Sequence, residues 1–161
     1  MLDLQSFTLV NYTPSGWFEN DVFEITKAGY WREYEIKLTN GDFKADADKR
    51  LRGQYGGVQD GQFVFMNGDS KHSLLSRGDV RGPNEFWFIA PEGLLEAVPD
   101  WAGWIEATPR SNGNQPANRC WLVKKKLAPR LHRQKLAAAI DEHARGVTYW
   151  RWRHLFLNGQ K

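Results

Sequence analysis

YEIKLTNGDFKAD, residues 34–46, runs from a strong strand candidate into a helix candidate. Side chains on a strand alternate between its two faces, so the uncharged side chains of YEIKL would share one face of this strand. The other face would carry Glu33, Glu35 and Lys37 in a row. Such a face is either an ordinary surface with cross-strand ion pairs or a site that binds a cation.

The rest of the sequence predicts a mixed α/β sheet with helices packed on it, in one domain spanning residues 1–161. The Ala28-Gly29 turn joins strand candidates at 22–27 and 30–38 into a hairpin. Residues 53–70 are rich in glycine and predict a loop or a small hairpin. Further strands are predicted at 7–13, 84–91, 101–107 and 119–126, and helices at 42–52, 92–98, 129–146 and 147–157.

The helix candidate after the charged strand carries acidic residues with ordinary structural explanations. Asp42 fits the first turn, where a carboxylate is favourable at the helix N-terminus. Asp46 and Lys49 are three residues apart and predict an ion pair along the helix, with a DNA or active-site contact as the alternative.

Composition indicates a folded protein in the cytoplasm. Hydrophobic residues make up 41% of the 161-residue chain, and no apolar run approaches the ~20 residues of a membrane span. The first residues have neither a basic segment nor a long apolar segment, so no signal peptide is predicted. The single cysteine, Cys120, excludes an internal disulfide and a cysteine zinc cluster, and it is predicted to be a small core residue.

Charge is distributed unevenly along the chain. Residues 1–118 hold 11 Lys/Arg and 17 Asp/Glu, a net −6, whereas residues 119–161 hold 11 Lys/Arg and 2 Asp/Glu, a net +9. This asymmetry predicts either a basic surface for a polyanion or a solubilising tail. Trp150 and Trp152 alternate with arginines and could stack on bases. Packing in the core is the favoured interpretation, because the helix face that contains Trp150 would face inward.

The charged strand has the elements of a metal site for phosphodiester hydrolysis, which uses a divalent cation to generate hydroxide near neutral pH. Glu35 and Lys37 lie about 7 Å apart along the strand, and the carbonyl of Ile36 between them could be a neutral ligand. Pairing within the hairpin could bring Asp21 beside Glu35. From this spacing alone, however, a surface hairpin with ion pairs is the favoured interpretation.

Asp21, followed by 13 residues and Glu35-Ile36-Lys37, resembles the D…(D/E)xK signature of the PD-(D/E)XK nuclease superfamily. The stretches DVFEITKAGYWREYEIKLTNGDFKADADK (21–49) and PNEFWFIAPEGLL (83–95) are similar to the MmcB-like DNA repair proteins and their phage-encoded relatives. The resemblance covers roughly residues 20–136. Asn20 stands where these proteins usually have proline.

This resemblance implies a restriction-endonuclease-like fold, in which helices flank a mixed central β-sheet. The core would cover about residues 17–136, and a basic and aromatic C-terminal helical segment would cover about 129–158. The implied activity is metal-dependent hydrolysis of DNA in repair, recombination or phage DNA metabolism, in the cytoplasm of a bacterial cell or a phage-infected host. A homodimer is possible for such an enzyme.

The resemblance also implies roles for individual residues. Asp21 and Glu35 would bind Mg²⁺ or Mn²⁺ with the Ile36 carbonyl, and Lys37 would orient or help to deprotonate the attacking water. Two further acids could join the site: Glu19 and Glu33, although Glu33 is more simply a solvated outer charge. The candidate nucleic-acid contacts are Lys49, Lys71, His72, Lys124, Lys125, Lys126, Arg130, His132 and Arg133.

Two other functions are consistent with the same sequence. One is a nucleic-acid-binding module of the same fold that no longer cuts. The other is a phage-encoded interaction or inhibitor protein that uses its aromatic surface.

Overall fold

The computed structural model describes residues 6–50, 56–59, 62–65, 68–110 and 120–158. The strands are β1 (Phe7–Tyr12), β2 (Asn20–Ile25), β3 (Trp31–Ile36), β4 (Gly56–Gln59), β5 (Gln62–Phe65), β6 (Glu85–Pro91), β7 (Ala102–Pro109) and β8 (Cys120–Lys126). The helices are α1 (Asn40–Asp46), α2 (Lys71–Ser76) and α3 (Ala138–Asn158). Within these residues, six strands form one mixed sheet in the order β1-β2-β3-β6-β7-β8, and β4 pairs with β5 separately. The chain is therefore an α/β protein, as predicted.

The β2–β3 hairpin forms at the position that the sequence indicates. Gly29 has a φ of 82°, a conformation that glycine adopts without strain. The Thr26 hydroxyl donates to the Tyr30 carbonyl at 3.0 Å and accepts from the Tyr30 amide at 3.2 Å. Because β1 and β2 are also antiparallel, β1, β2 and β3 make a meander at one side of the sheet.

The order changes to parallel after β3. Strand β6 lies parallel to β3, and β7 lies parallel to β6, whereas the edge strand β8 is antiparallel to β7. Parallel pairing needs a crossover connection, and α1, the β4–β5 pair and α2 lie in the connection between β3 and β6. The helix predicted at 92–98 is wrong, because Gly93 has a φ of 75° and the Leu94 amide closes a turn onto the Pro91 carbonyl.

The larger core lies on the sheet face that α1, α2 and α3 cover. It contains Phe23, Trp31, Phe86 and Phe88, with exposed fractions of 0–2%, and Leu74 and Leu75 of α2 pack against it. The opposite sheet face carries a smaller cluster of Tyr34, Trp87 and Ile105. The two faces therefore differ, and the carboxylates of β3, Glu33 and Glu35, point to the larger core.

The region after β8 departs most from the prediction. The helix predicted at 129–146 is wrong in its bounds, because residues 127–137 are not helical. Earlier in the chain, the helix predicted at 42–52 is wrong in its bounds too, because α1 ends at Asp46. We call residues 127–137 the basic strap. Its amides bond to the end of the sheet, Leu131 to the Asn84 carbonyl at 2.8 Å and Leu136 to the Gly29 carbonyl at 2.9 Å, so they are not available for helical hydrogen bonds.

Helix α3 continues through Gly146 without a break, although the sequence predicts an end there. It packs through a stripe with helical spacing that includes His143, Ala144 and Val147, and the Tyr12 hydroxyl lies 2.9 Å from His143 Nδ1. The predicted inward packing of Trp150 is wrong, because its exposed fraction is 61%. Cys120 is likewise exposed rather than in the core. Across the described segments, no helix has both the length and the apolar character that a bilayer span requires.

Candidate functional site

A buried ionic cluster lies between β3 and the two short helices. Its members come from β3 and the residue after it, from α1 and the turn after it, and from the first turn of α2. They are Glu33, Glu35, Lys37, Asp46, Lys49, Lys71 and His72.

Glu33 occupies a position in the middle of the aromatic core. In the sheet it pairs with Phe23 of β2 on one side and with Phe86 of β6 on the other. Its carboxylate accepts from the Trp17 indole at 2.8 Å and from the Lys71 ammonium at 2.5 Å. The side-chain amide of Asn20, with its nitrogen turned towards Glu33, donates to the same carboxylate at 2.7 Å. The expectation that Glu33 is a solvated charge is therefore wrong.

Glu35 is held by three ammonium groups. Its Oε1 accepts from Lys71, and its Oε2 accepts from Lys37 at 3.0 Å and from Lys49 at 3.1 Å. The exposed fraction of Glu35 is 1% and that of Lys37 is 5%, so both are shielded from water. The Lys37 amide donates to the Ile89 carbonyl at 2.8 Å, which extends the β3–β6 ladder by one residue and fixes the backbone there.

Asp46 completes the cluster from the end of α1. Its Oδ1 lies 2.8 Å from Lys37 Nζ and 2.9 Å from Lys49 Nζ, and its Oδ2 lies 2.9 Å from His72 Nε2. The predicted Asp46–Lys49 ion pair is thus confirmed as one contact of a larger network. The ring of His72 also packs edge-on against Trp101, with the centroids 4.8 Å apart.

Two backbone contacts bring Lys71 beside residues of the preceding helix region. The Lys71 amide donates to the Lys49 carbonyl at 2.8 Å, and Arg50 forms an antiparallel bridge with Ser70. The residues that precede and follow the segment between Arg50 and Ser70 therefore lie side by side at the cluster. Ser70 caps α2 by accepting from the Ser73 amide at 3.2 Å, which directs the first helical residue, Lys71, into the core.

Burial and charge act in opposite directions on the carboxylates. Burial raises the pKa of Glu33 to about 7, against the opposing effect of the Lys71 charge. Burial also disfavours the charged forms of Glu35 and Asp46. The charges of Lys71 and Lys37 together outweigh burial at Glu35, so its pKa is lowered. At Asp46 the His72 hydrogen bond, the Lys71 charge and the Lys37 hydrogen bond together outweigh burial, so its pKa is lowered too. Burial would lower the pKa of Lys71, but the charges of Glu33 and Glu35 raise it overall, and its ammonium stays charged.

Asp21 lies next to this cluster but does not join it. Its Oδ2 accepts from the backbone amide of Ile36 at 2.7 Å, so the carboxylate contacts the peptide between Glu35 and Lys37. Among the described contacts, Asp21 shares none with the lysines of the cluster. The Ile36 group that contacts Asp21 is therefore the backbone N–H and not the carbonyl that the sequence offers as a metal ligand. Glu19, the other acid considered for the site, is exposed.

The cluster as it stands does not fit a divalent cation. Mg²⁺ and Mn²⁺ are held by carboxylate and carbonyl oxygens and keep several waters. Every carboxylate oxygen of Glu33, Glu35 and Asp46 already contacts a lysine, a histidine or an indole N–H. Within the described part of the chain, no group of three or more His, Cys, Asp or Glu side chains is arranged to hold a metal ion.

The nucleic-acid candidates fall into different environments. Contact between Lys71 and a phosphate is contradicted by its complete burial. Several others bind within the protein: Lys125 pairs with Glu106 at 3.2 Å, Lys126 donates to the Pro99 carbonyl at 2.8 Å, and His132 Nε2 lies 3.0 Å from the Gly82 carbonyl. Lys124, Arg130 and Arg133 are exposed, and Lys49 is partly so.

Trp17 and Asn20 are site residues that sequence reasoning did not assign to the site, and it gave Asp46 an active-site contact only as the alternative to the ion pair with Lys49. The spacing of Glu33, Glu35 and Lys37 gives no indication that the face is buried. A signal was available in Trp31, because a tryptophan that begins the same face of the strand indicates a core-facing side.

The described chain thus defines a mixed α/β protein with a lysine-filled carboxylate cluster in its core. No protein-family model matches the sequence, and no curated protein matches it. A solved structure, "SPO1766 protein of unknown function from Silicibacter pomeroyi", is similar, with a TM-score of 0.54 and 16% identity. The alignment covers 96% of this chain and 80% of that one. At this identity the likeness concerns the fold alone.

Proposed function

We propose that this protein binds DNA through a basic and aromatic surface. We also propose that it does not hydrolyse DNA while its ionic cluster is arranged as described above. The observation that carries the proposal is the basic strap, which is fixed to the sheet and presents cations outward. We further propose that the fold is of the PD-(D/E)XK type, because an antiparallel meander followed by a parallel strand after a helical crossover carries the D…ExK residues at its centre.

The basic strap is an ordered segment, although it has no helix or strand of its own. The side chain of Asn84 donates to the His132 carbonyl at 3.1 Å and to the Gln134 carbonyl at 2.7 Å. With the backbone bonds to the sheet, these contacts fix the strap over its middle residues. Cations on a fixed backbone lose less conformational freedom when they contact phosphates.

The strap combines cations with an aromatic ring. The Arg130 guanidinium lies 4.3 Å from the centroid of the Tyr30 ring, and Lys135 Nζ lies 5.9 Å from it. Arg133, which lies between Arg130 and Lys135 in the sequence, is exposed. Cations that contact phosphates beside a ring that can stack on a base are typical of nucleic-acid surfaces.

The distribution of charge in the fold supports the same proposal. Among the residues that the structure describes, five carboxylates are buried, against two ammonium groups, so burial removes more negative than positive charge from the surface. The buried acids are Glu24, Glu33, Glu35, Asp46 and Glu106, and the buried lysines are Lys37 and Lys71. The surface is therefore more basic than the formal net charge of +3 indicates.

The position of the basic surface argues against cleavage at Glu35. The strap crosses the end of β3 near Trp31, about 13 Å along the strand from Glu35. Lys124 lies 5.4 Å from the Trp87 ring, on the opposite face of the sheet from Glu35. Phosphates bound by these residues would not be placed at the Glu35 carboxylate.

The test is DNA binding measured by fluorescence anisotropy against salt concentration, with duplex and single-stranded oligonucleotides. We expect binding at low salt that weakens as salt rises, because counterions are released from the phosphates. Arg130→Ala/Arg133→Ala should lower the slope of log affinity against log salt by about two, roughly one for each phosphate contact. Lys44→Ala, an exposed lysine on α1, is the control and should leave the slope unchanged.

Each outcome bears on the proposal. Absence of binding to either DNA at low salt, or equal effects of the strap and control variants, would overturn it. Intact plasmid after incubation with Mn²⁺ would support the non-cutting part. Cleavage in Mn²⁺ that disappears in Glu35→Gln would overturn that part.

A metal-dependent DNA nuclease with Asp21, Glu35 and Lys37 as its site is the second candidate. The contact between the Asp21 carboxylate and the Ile36 amide favours it, because this contact holds Asp21 beside Glu35-Ile36-Lys37. Such an activity would require Glu35 to be released from its lysines. The plasmid assay decides between the two candidates.

A further inference from the structure

The ammonium of Lys71 occupies an unusual place for a lysine. The residue is completely buried, and Nζ lies 2.5 Å from Glu33 Oε1 and also bonds Glu35 Oε1. On its other sides are aromatic rings, with the Phe86 centroid at 5.2 Å and the Phe18 centroid at 5.7 Å. One nitrogen thus bridges two carboxylates in a dry pocket.

We infer that Lys71 is a built-in replacement for a divalent cation between Glu33 and Glu35. Because a single atom contacts an oxygen of each carboxylate, those oxygens are within reach of one ion. An ammonium group neutralises charge and donates hydrogen bonds, but it carries no exchangeable water and cannot activate one. The cluster therefore has a positive charge between two carboxylates, as a metal site would, but the group that carries this charge cannot activate water.

The surroundings of Glu33 fit this inference. Asn20 and Trp17 both donate to the Glu33 carboxylate and so fix its orientation towards Lys71. The inference concerns the buried cluster alone and stands whether or not the protein binds DNA.

The first experiment is a Mn²⁺ titration of the wild-type protein, followed by electron paramagnetic resonance of the free ion. We expect wild type and Glu35→Gln to leave the same free signal, since Lys71 already fills the space between the carboxylates. One Mn²⁺ taken up by wild type and not by Glu35→Gln would overturn the inference. The wild-type titration itself does not depend on the folding of any variant.

The second experiment is designed to create a metal site by removing the ammonium group of Lys71. Lys71→Ala removes the ammonium and leaves room for an ion with waters beside Glu33 and Glu35. Its thermal midpoint should rise by roughly 5–10 °C at a Mn²⁺ concentration a hundred times the dissociation constant, whereas that of wild type should not move.

Breaking a buried ion pair is strongly destabilising, so Lys71→Ala is measured both with EDTA and with Mn²⁺. A variant that is unfolded with EDTA and folds on addition of Mn²⁺ supports the inference as well as a shifted midpoint does. Lys71→Ala/Glu33→Gln should lose the response to Mn²⁺, because one of the two carboxylates is gone. A Lys71→Ala protein that does not respond to Mn²⁺, folded or unfolded, would overturn the inference.

Discussion

Replacement of the buried carboxylate of Glu33 by an amide should change how the stability of the protein depends on pH. Glu33 has a pKa of about 7 in the folded protein, against an ordinary value of 4.5, because burial disfavours its charge. Between these values the unfolded chain has lost the proton and the folded protein still keeps it. The stabilisation is therefore complete below pH 4.5 and is lost as pH rises through about 7.

The magnitude follows from the size of the pKa difference. A difference of about 2.5 pKa units at about 1.4 kcal/mol per unit gives a loss of about 3 kcal/mol across this range. Glu33→Gln has no proton to lose at this position, while its amide oxygen can still accept from Trp17. The stability of the variant relative to wild type should thus increase by about 3 kcal/mol from pH 4.5 to pH 8.

The assay is urea unfolding at half-unit pH steps, with the wild-type free energy subtracted from that of the variant. The subtraction removes the contributions of all other ionisable groups, which both proteins share. Glu92→Gln, which changes an exposed glutamate bonded to Thr108, is the matched control and should follow wild type at every pH. Parallel wild-type and Glu33→Gln curves would refute the reasoning, as would a relative stability that falls with pH.

Three further substitutions test the packing and the hydrogen bonding of the sheet and of α3. Gly103→Ala places a Cβ against the Trp87 ring and 2.7 Å from a backbone nitrogen of the basic strap, so the thermal unfolding midpoint should fall with a loss of about 1–3 kcal/mol. Gly146→Ala, which meets open space in α3, should instead raise the midpoint, with a gain of up to about 1 kcal/mol. Trp17→Phe removes the indole donor to Glu33 and should reduce the free energy of unfolding by about 1–3 kcal/mol at pH 8 but by less at pH 5, where the carboxyl is protonated. An equal loss at both pH values would contradict the last prediction.

The hairpin and the central strands could be predicted from the sequence because their signals are local. Gly29 marks the turn, and the apolar run at 85–91 indicates a strand at the centre of a sheet. The charged face of β3 was visible too, but the alternation of its residues did not reveal its burial, for which Trp31 at the start of the face was the signal. The same alternation is expected whether the face meets water or a core.

The remaining features depend on contacts between distant parts of the chain. Lys71 reaches Glu33 across 38 residues, and no local pattern marks a lysine for the core. The basic strap was predicted as a helix because its amide partners, including Asn84, lie far away in sequence. Asn20 differs from the proline of the resembling proteins, but only the fold reveals that its amide reaches Glu33.

The bridge between Arg50 and Ser70 has a consequence for how this protein can vary. Together with the bond from the Lys71 amide to the Lys49 carbonyl, it closes the chain at the two ends of the segment that contains β4 and β5. The spacing of Lys49 and Lys71 is set by this closure rather than by the length of the segment between them. Since the entropy of closing a loop grows slowly with its length, related chains could exchange this segment for a longer or shorter one while the core charges keep their positions. The segment between these residues is therefore a position where an insertion or a replacement can change the surface of the protein while its core stays the same.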